Sequence, residues 1–285
     1  DPVAGKAVNL VPSDEPQDIY GAVAERVNDK LKAAAGQFDE DNPEQQRWAA
    51  IWLEFGIDRK ITKRPVMVLP YGGTFHSCMD YVCDAVHERG QLPFEPQETR
   101  PACNYLAKLV WQSIGEVVVS AKLAMGWLRD VAARTASAEG FVSWHTPLGF
   151  PVVQYYTEQD VIKINTTLFG KRFQPRIAID RKHVPHRNRQ TNGMAPNFVH
   201  SLDACALMMT VNKAVEQGIT KFAMIHDSYG TTAAKSEQLA KILRQEFVRL
   251  YDEGNPLKQF ETEEEPPFVG GLDLTQVETS PYFFA

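Results

Sequence analysis

The sequence contains no run of about 18 consecutive apolar residues, and so offers no candidate for a transmembrane helix. Its four cysteines, Cys78, Cys83, Cys103 and Cys205, form no CxxC pair and stand at no metal-ligand spacing from a histidine. Neither a zinc site nor a disulfide framework is expected, and scattered thiols of this kind fit an intracellular setting. An initiator Met and a basic-then-apolar leader are both missing from the start, Asp1-Pro-Val-Ala-Gly, which reads as a chain cut from something longer or as a processed product. No internal repeat is evident. A positive balance is lacking too: 30 Lys/Arg against 36 Asp/Glu give a net charge of -6, the wrong sign for a simple nucleic-acid binder.

The bulk of the 285 residues is ordinary, with 44% hydrophobic and 23% charged side chains, as in a globular protein of one large or two average domains. The charge, however, is unevenly spread. Residues 163–190 carry eight Lys/Arg against the single acid Asp180, whereas the stretch from Asp252 onward carries eight acids against the single Lys258. Such separation builds a local positive channel on an acidic protein, or else a solvated basic loop.

Apolar periodicity and turn residues outline the elements. Residues 14–35 predict a helix, with Ser13 as N-cap, Pro16 in its first turn, and Ile19, Val23, Val27 and Leu31 recurring every four residues. A polar stretch from Gln37 precedes a helix bearing Trp48, Trp52 and Phe55. A basic segment, 59–71, closes on Gly72-Gly73, and Phe75, Met79, Val82 and Val86 mark a short amphipathic helix. Residues 90–101, with three prolines, read as a loop, and 102–135 as one long helix or two abutting ones with a buried centre. A β-hairpin is expected over 141–156, and a second pair of strands, 160–168 and 172–180, meets at Gly170-Lys171. Residues 181–193 look irregular, and a helix is expected to start at Pro196. A short hairpin around 221–233, an amphipathic helix from Leu239 to Leu250, and an apolar C-terminus that docks complete the chain.

Three constellations carry chemistry. Arg59-x3-Lys63, with Arg64 beside it, sets two cations one helical turn apart, suited to gripping a triphosphate, and Lys63 is able to protonate a leaving group. Tyr71 supplies a ring face and a hydroxyl, and Gly72-Gly73 a sharp turn. Pro65 and Pro70 predict a kink or an early helix end. A surface helix with a glycine cap is the plainer explanation for the same residues. Second, Ile225-His-Asp227-Ser228 places a carboxylate in a tight turn after an apolar strand, as a Mg²⁺ ligand needs, although aspartates also favour turns for their own hydrogen bonds. One aspartate does not build a two-metal site, so a further carboxylate is expected. Third, Ala195-Pro-Asn-Phe-Val-His200-Ser201 offers an imidazole at the head of a helix, or simply a structural histidine.

In this order the segments resemble the single-subunit RNA polymerases of T7-like bacteriophages, which are related to the mitochondrial enzymes. The strongest matches are Lys63-Arg-Pro-Val-Met-Val-Leu-Pro-Tyr-Gly72, Ala195-Pro-Asn-Phe-Val-His-Ser201 and Ile225-His-Asp-Ser228. Tyr105-Leu-Ala-Lys-Leu-Val-Trp111 and Trp144-His-Thr-Pro-Leu-Gly-Phe-Pro151 also look like family segments. The resemblance implies a mainly helical α+β fold, with a fingers subdomain over 1–196 and the closing part of a palm over 197–285. Arg59, Lys63 and Arg64 would bind the incoming ribonucleoside triphosphate. Tyr71 would close the site and, with His200, favour ribose. Asp227 would be the second of two metal-binding aspartates holding two Mg²⁺ ions. The strands at 160–180 look like a promoter-reading hairpin, with Lys163, Asn165, Arg172 and Gln174 facing the bases. Its loop is one residue short of the family pattern.

The family's first palm aspartate would lie upstream of Asp1. The chain alone is therefore expected to be inactive, and to act with a DNA template and promoter, nascent RNA and an N-terminal half in trans, in the cytoplasm of a bacterial host. Rival readings are a family A DNA polymerase, which shares Arg-x3-Lys-x7-Tyr-Gly but usually follows His-Asp with Glu rather than Ser228, a non-catalytic prophage remnant, and a domain whose basic loop binds an unrelated acidic partner.

Overall fold

The computed structural model describes residues 1–36, 42–90, 92–138, 140–252, 255–260, 265–268 and 270–283. Positions 37–41 of the polar stretch, and Phe284 and Ala285, lie outside them. Helices dominate, as expected. In chain order they are α1 (Pro2–Ala7), α2 (Ile19–Gly36), α3 (Pro43–Phe55), α4 (Arg59–Val68), α5 (Phe75–Glu88), α6 (Pro96–Val117), α7 (Val119–Ser137), α8 (Arg187–Glu216) and α9 (Ser236–Asp252). The strands are β1 (Ser143–His145), β2 (Pro151–Val153), β3 (Thr157–Lys163), β4 (Thr166–Leu168), β5 (Lys171–Phe173), β6 (Arg176–Pro185), β7 (Ala223–Ile225) and β8 (Ser228–Gly230). Among the described residues they form only two-stranded antiparallel pairs: β1 with β2, β3 with β6, β4 with β5, and β7 with β8.

One core joins α2 to α6. Val23, Val27 and Leu31 of α2 meet Trp52 of α3, Ile61 of α4, Val82 and Val86 of α5, and Leu106, Val110 and Ile114 of α6, all with almost no exposure. Each such side chain contributes roughly 1.5–3 kcal/mol of burial. Trp52 buries without a polar penalty because its Nε1 donates to the Ala102 carbonyl at 3.1 Å. A second core packs Trp127, Leu128 and Val131 of α7 against Trp144 of β1 and Met194, Phe198 and Leu202 of α8. Further along, Ala214 of α8 packs with Ile219, Leu239 and Ile242. The 30-residue α8 therefore joins these two cores. The C-terminal segment docks as expected: Phe283 packs on Phe247, with ring centroids 5.0 Å apart, and Arg244 donates to the Ser280 carbonyl.

The departures from expectation have local causes. α2 starts at Ile19 rather than 14, because Asp18, not Ser13, caps it by accepting from the Tyr20 amide. α6 begins at Pro96, where proline costs nothing in a first turn, so the expected loop is shorter. The centre of 102–135 is buried on one side of a break only: two helices abut at Val118, Ile114 and Val117 before it are buried, and Val119 and Leu123 after it are 45% and 56% exposed. Residues 181–193 are ordered, as the end of β6 and the start of α8, with the His186 Nδ1 accepting from the Arg189 amide.

Pro196 lies inside α8 rather than at its head, so the expected subdomain division at 196/197 falls within one helix. The proline is tolerated because it withholds only one donor, the partner of the Asn192 carbonyl. That carbonyl faces Gly72.

Candidate active site

The site grows outward from α4. Asp58 caps the helix by accepting from the Lys60 and Ile61 amides, at 2.9 and 3.4 Å. Ile61, Thr62, Pro65 and Val66 turn into the core, which leaves Arg59, Lys63 and Arg64 exposed. The helix runs three residues past Pro65, then tightens into the 3-10 turn Leu69–Tyr71 that holds Pro70. The three cations differ in their engagements. Arg59 reaches Asp18 at 2.7 Å and lies 5.1 Å over the Tyr20 ring. Arg64 pairs with Glu88 at 3.0 Å. Lys63 makes no ion pair among the described residues.

Two glycines turn the chain after Tyr71. Gly72 is left-handed, with φ at 79°, and Gly73 donates to the Val68 carbonyl at 2.9 Å. A Cβ on Gly72 would stand 3.3 Å from the Asn192 carbonyl, so the turn sits directly against the part of α8 that Pro196 opens. Tyr71 thereby lies over His200, with ring centroids 4.9 Å apart and planes 27° from parallel. Burial, then the charges of Asp203 and Asp227, raise the Tyr71 phenol above its ordinary range. Its hydroxyl thus remains a donor at neutral pH.

Asp227 stands on the β7–β8 hairpin. Ile225 pairs with Ser228, leaving His226 and Asp227 as a two-residue hairpin loop. His226 takes the left-handed conformation, φ 53°, that such loops require. Asp227 is exposed at the tip. It acts electrostatically on Tyr71, Asp203 and Tyr229 alike. Asp203, one turn beyond His200, is held above the usual carboxylate range by desolvation and Asp227, with His200 opposing. Asp227 is a hard oxygen donor of the kind Mg²⁺ takes. Among the described residues, however, no group of three or more His, Cys, Asp or Glu side chains forms a metal cage. Asp227 is thus one oxygen donor of the kind such a site needs.

The predicted DNA-facing residues lie elsewhere, on the ribbon β3–β6. Phe169 and Gly170, both at positive φ, form its tip, one residue earlier than expected, with Leu168 pairing Lys171. Register is unbroken from the Gln159–Asp180 pair to that tip. Strand alternation therefore puts Lys163, Asn165, Arg172 and Gln174 on one face, and Gln174 donates to Asn165 at 2.7 Å. Arg176, paired with Lys163, shares this face and was missed because motif spacing alone does not give a register. Ile162, Ile177 and Ile179 occupy the other face and are about half exposed.

Sequence reasoning also missed what anchors the ribbon. Gln154 and Gln190 are almost fully buried and exchange amide hydrogen bonds: Gln154 Nε2 donates to the Gln190 carbonyl at 2.7 Å, and Gln190 Nε2 to the Gln154 carbonyl at 2.8 Å. Asn197 completes the network, donating to Gln154 Oε1 and the Tyr156 hydroxyl. One turn on, Ser201 accepts from Trp144 Nε1 at 2.9 Å. Asn197 and Ser201 flank His200 in sequence, and their polarity within an apolar helix face was the available signal.

The chain belongs to the DNA-dependent RNA polymerase family, whose sequence profile matches residues 1–268. Among individual relatives, it is 38% identical over 293 residues to DNA-directed RNA polymerase 1B, mitochondrial, of Nicotiana tabacum, covering all of this chain and 28% of that protein. With T7 RNA polymerase of Escherichia phage T7 it shares 34% identity over 336 residues, covering 100% of this chain and 38% of the relative. DNA-directed RNA polymerase 2A of Nicotiana tabacum is 35% identical over 293 residues, with 86% of its length covered. The chain thus spans less than two fifths of the first two relatives. None of the helices among the described residues is long and apolar enough to cross a membrane.

Proposed function

We propose that this chain supplies the nucleotide-gripping arm and one metal-holding carboxylate of a DNA-directed RNA polymerase, with fingers over 1–196 and a palm portion over 197–285. The observation that carries the reading is the stack of Tyr71, just past α4, on His200 of α8, with Asp227 acting on the same phenol. In this reading Lys63, exposed and without an ion pair among the described residues, grips the triphosphate and protonates the leaving pyrophosphate. Arg59 and Arg64 add charge by exchanging Asp18 and Glu88 for phosphate oxygens. The Tyr71 ring backs the base and ribose, while its hydroxyl and the His200 imidazole favour a 2′-hydroxyl.

Asp227 would hold Mg²⁺, which when bound supplies positive charge at the attacking and leaving oxygens. The two-ion site is completed by a carboxylate from the rest of the polymerase, and this chain alone is inactive. Lys163, Asn165, Arg172 and Gln174 read promoter base edges, a task for which Lys/Arg suit guanine and Asn/Gln adenine. The partners are then template DNA, ribonucleoside triphosphates, nascent RNA and the upstream half of the enzyme. The phage relatives favour a bacterial cytoplasm as the setting.

Run-off transcription tests this, using the chain with the upstream half in trans on a phage-type promoter. RNA is expected from the mixture, from neither half alone, and not with Asp227→Ala. RNA from the Asp227→Ala mixture would overturn the metal assignment. Preference for dATP over ATP would point to DNA synthesis.

A further inference from the structure

The register of the ribbon sets two cations directly opposite each other. Lys163 of β3 and Arg176 of β6 are cross-strand partners. Beside them, the Ile164 amide donates to the Pro175 carbonyl at 3.0 Å. Hydrogen-bonded and non-hydrogen-bonded pairs alternate along an antiparallel ribbon, so Lys163 and Arg176 form a non-hydrogen-bonded pair. That is the closer kind, with Cβ atoms on the order of 4.5–5.5 Å apart. Asn165 and Gln174, next on the same face, show what this spacing permits, since their amides join at 2.7 Å. Like charges so placed repel and cost stability. Both side chains are exposed, and neither makes an ion pair among the described residues. Toward the root come the uncharged Val161 and Ala178. Asp180, the acid of this face, lies beyond them and accepts from Gln159 at 2.8 Å.

An opposed, unshielded pair of cations suits a partner that brings acceptor atoms to both. The neighbouring amides decide which acceptors. Phosphates present acceptors alone, whereas base edges in the major groove present donors and acceptors in a pattern. The Asn165–Gln174 amides carry both kinds of group, and so match base edges. A guanidinium fork meets the O6 and N7 of guanine with two parallel hydrogen bonds. Base pairs succeed one another at about 3.4 Å, which puts neighbouring pairs within reach of the two cations. We propose that Arg176 is a further specificity-determining residue of the ribbon, selecting guanine in the base pair next to the one that Lys163 contacts. This rests on the ribbon reading promoter DNA, as proposed above.

Duplex selection from a pool randomised across the promoter tests it, using the 285-residue chain with the upstream half in trans. The wild type should select guanine, on either strand, at two adjacent base pairs. Arg176→Ala should lose at least roughly fivefold of the guanine preference at one of them and keep the other. Lys163→Ala should do the reverse. Arg176→Gln should turn the preference at its own position to adenine, a gain that a merely weakened ribbon does not give. Equal loss of affinity for all sequences in Arg176→Ala would mark a phosphate contact and overturn the proposal. If substitutions at Lys163, Asn165, Arg172 and Gln174 reshape the selection while those at Arg176 leave it unchanged, this inference alone fails. A wild type without sequence preference would overturn the promoter-reading assignment and the inference together.

Discussion

The helical body α2–α6 and the ribbon β3–β6 hold their candidate residues by opposite means. In the body, Lys63 is aimed by what its helix buries on the other side: Ile61, Thr62, Pro65 and Val66 fix α4, and the cation is what remains outside. In the ribbon almost nothing is buried beyond the first and last residues, Thr157 and Pro185. Backbone pairing aims Lys163, Asn165, Arg172 and Gln174, and the root is clamped by the Gln154, Gln190 and Asn197 amides. A core makes a rigid platform for phosphates. A two-stranded ribbon with an anchored root can present a polar face to something that supplies the missing cover, and a duplex groove admits such a ribbon. Substitutions should therefore separate into those that disturb chemistry, those that disturb folding, and those that disturb only binding.

The largest effect is expected at neither region but at the hairpin opposite them. In a complete polymerase, Asp227→Ala should lower nucleotide addition by at least about a thousandfold, since a lost metal ligand removes several kcal/mol of charge stabilisation. Its melting temperature should be unchanged, because Asp227 is exposed. The next largest is structural. Gln190→Leu removes the donor to the buried Gln154 carbonyl and one of the two acceptors of its Nε2, and should cost about 1–3 kcal/mol, read by urea unfolding. The ribbon should loosen first, seen as faster amide exchange in β3 and β6 than in α5.

A smaller loss belongs to the junction. Gly72→Ala meets both a left-handed φ and the Asn192 carbonyl, so about 1–2 kcal/mol is expected. Nucleotide affinity should fall with it, because Tyr71 shifts on His200. The smallest effect on folding is on the ribbon. Lys163→Ala and Arg172→Ala should leave stability within about 0.5 kcal/mol while lowering the salt slope of duplex binding by roughly one each. Comparable stability losses for Gln190→Leu and Arg172→Ala would erase the contrast between root and blade.

Where a side chain reports on its own backbone, the sequence was sufficient. The four-residue recurrence of Val23, Val27 and Leu31 announces α2, and Asp227 in its tight loop follows from the apolar strand before it. Lys63, Tyr71, His200 and Asp227 were all legible as candidates from residue type and order. What failed depends on partners distant in sequence. Pro196 breaks an isolated helix, yet α8 runs through it, because its open carbonyl is packed against the Gly72 turn. Residues 181–193 look irregular by composition, but pairing of β6 with β3 and the His186 cap impose order. Asp18 and Glu88, which engage Arg59 and Arg64, lie too far along the chain for any spacing rule.

All of this depends on the α4 arm and the Asp227 hairpin serving one bound nucleotide. Paramagnetic relaxation measured by NMR with substoichiometric Mn²⁺·ATP tests it most directly. The account predicts that the amides of Tyr71 and of residues 226–228 broaden together, and that Lys63→Ala abolishes both effects. Broadening confined to one of these elements, with the other unperturbed at saturating nucleotide, would contradict it.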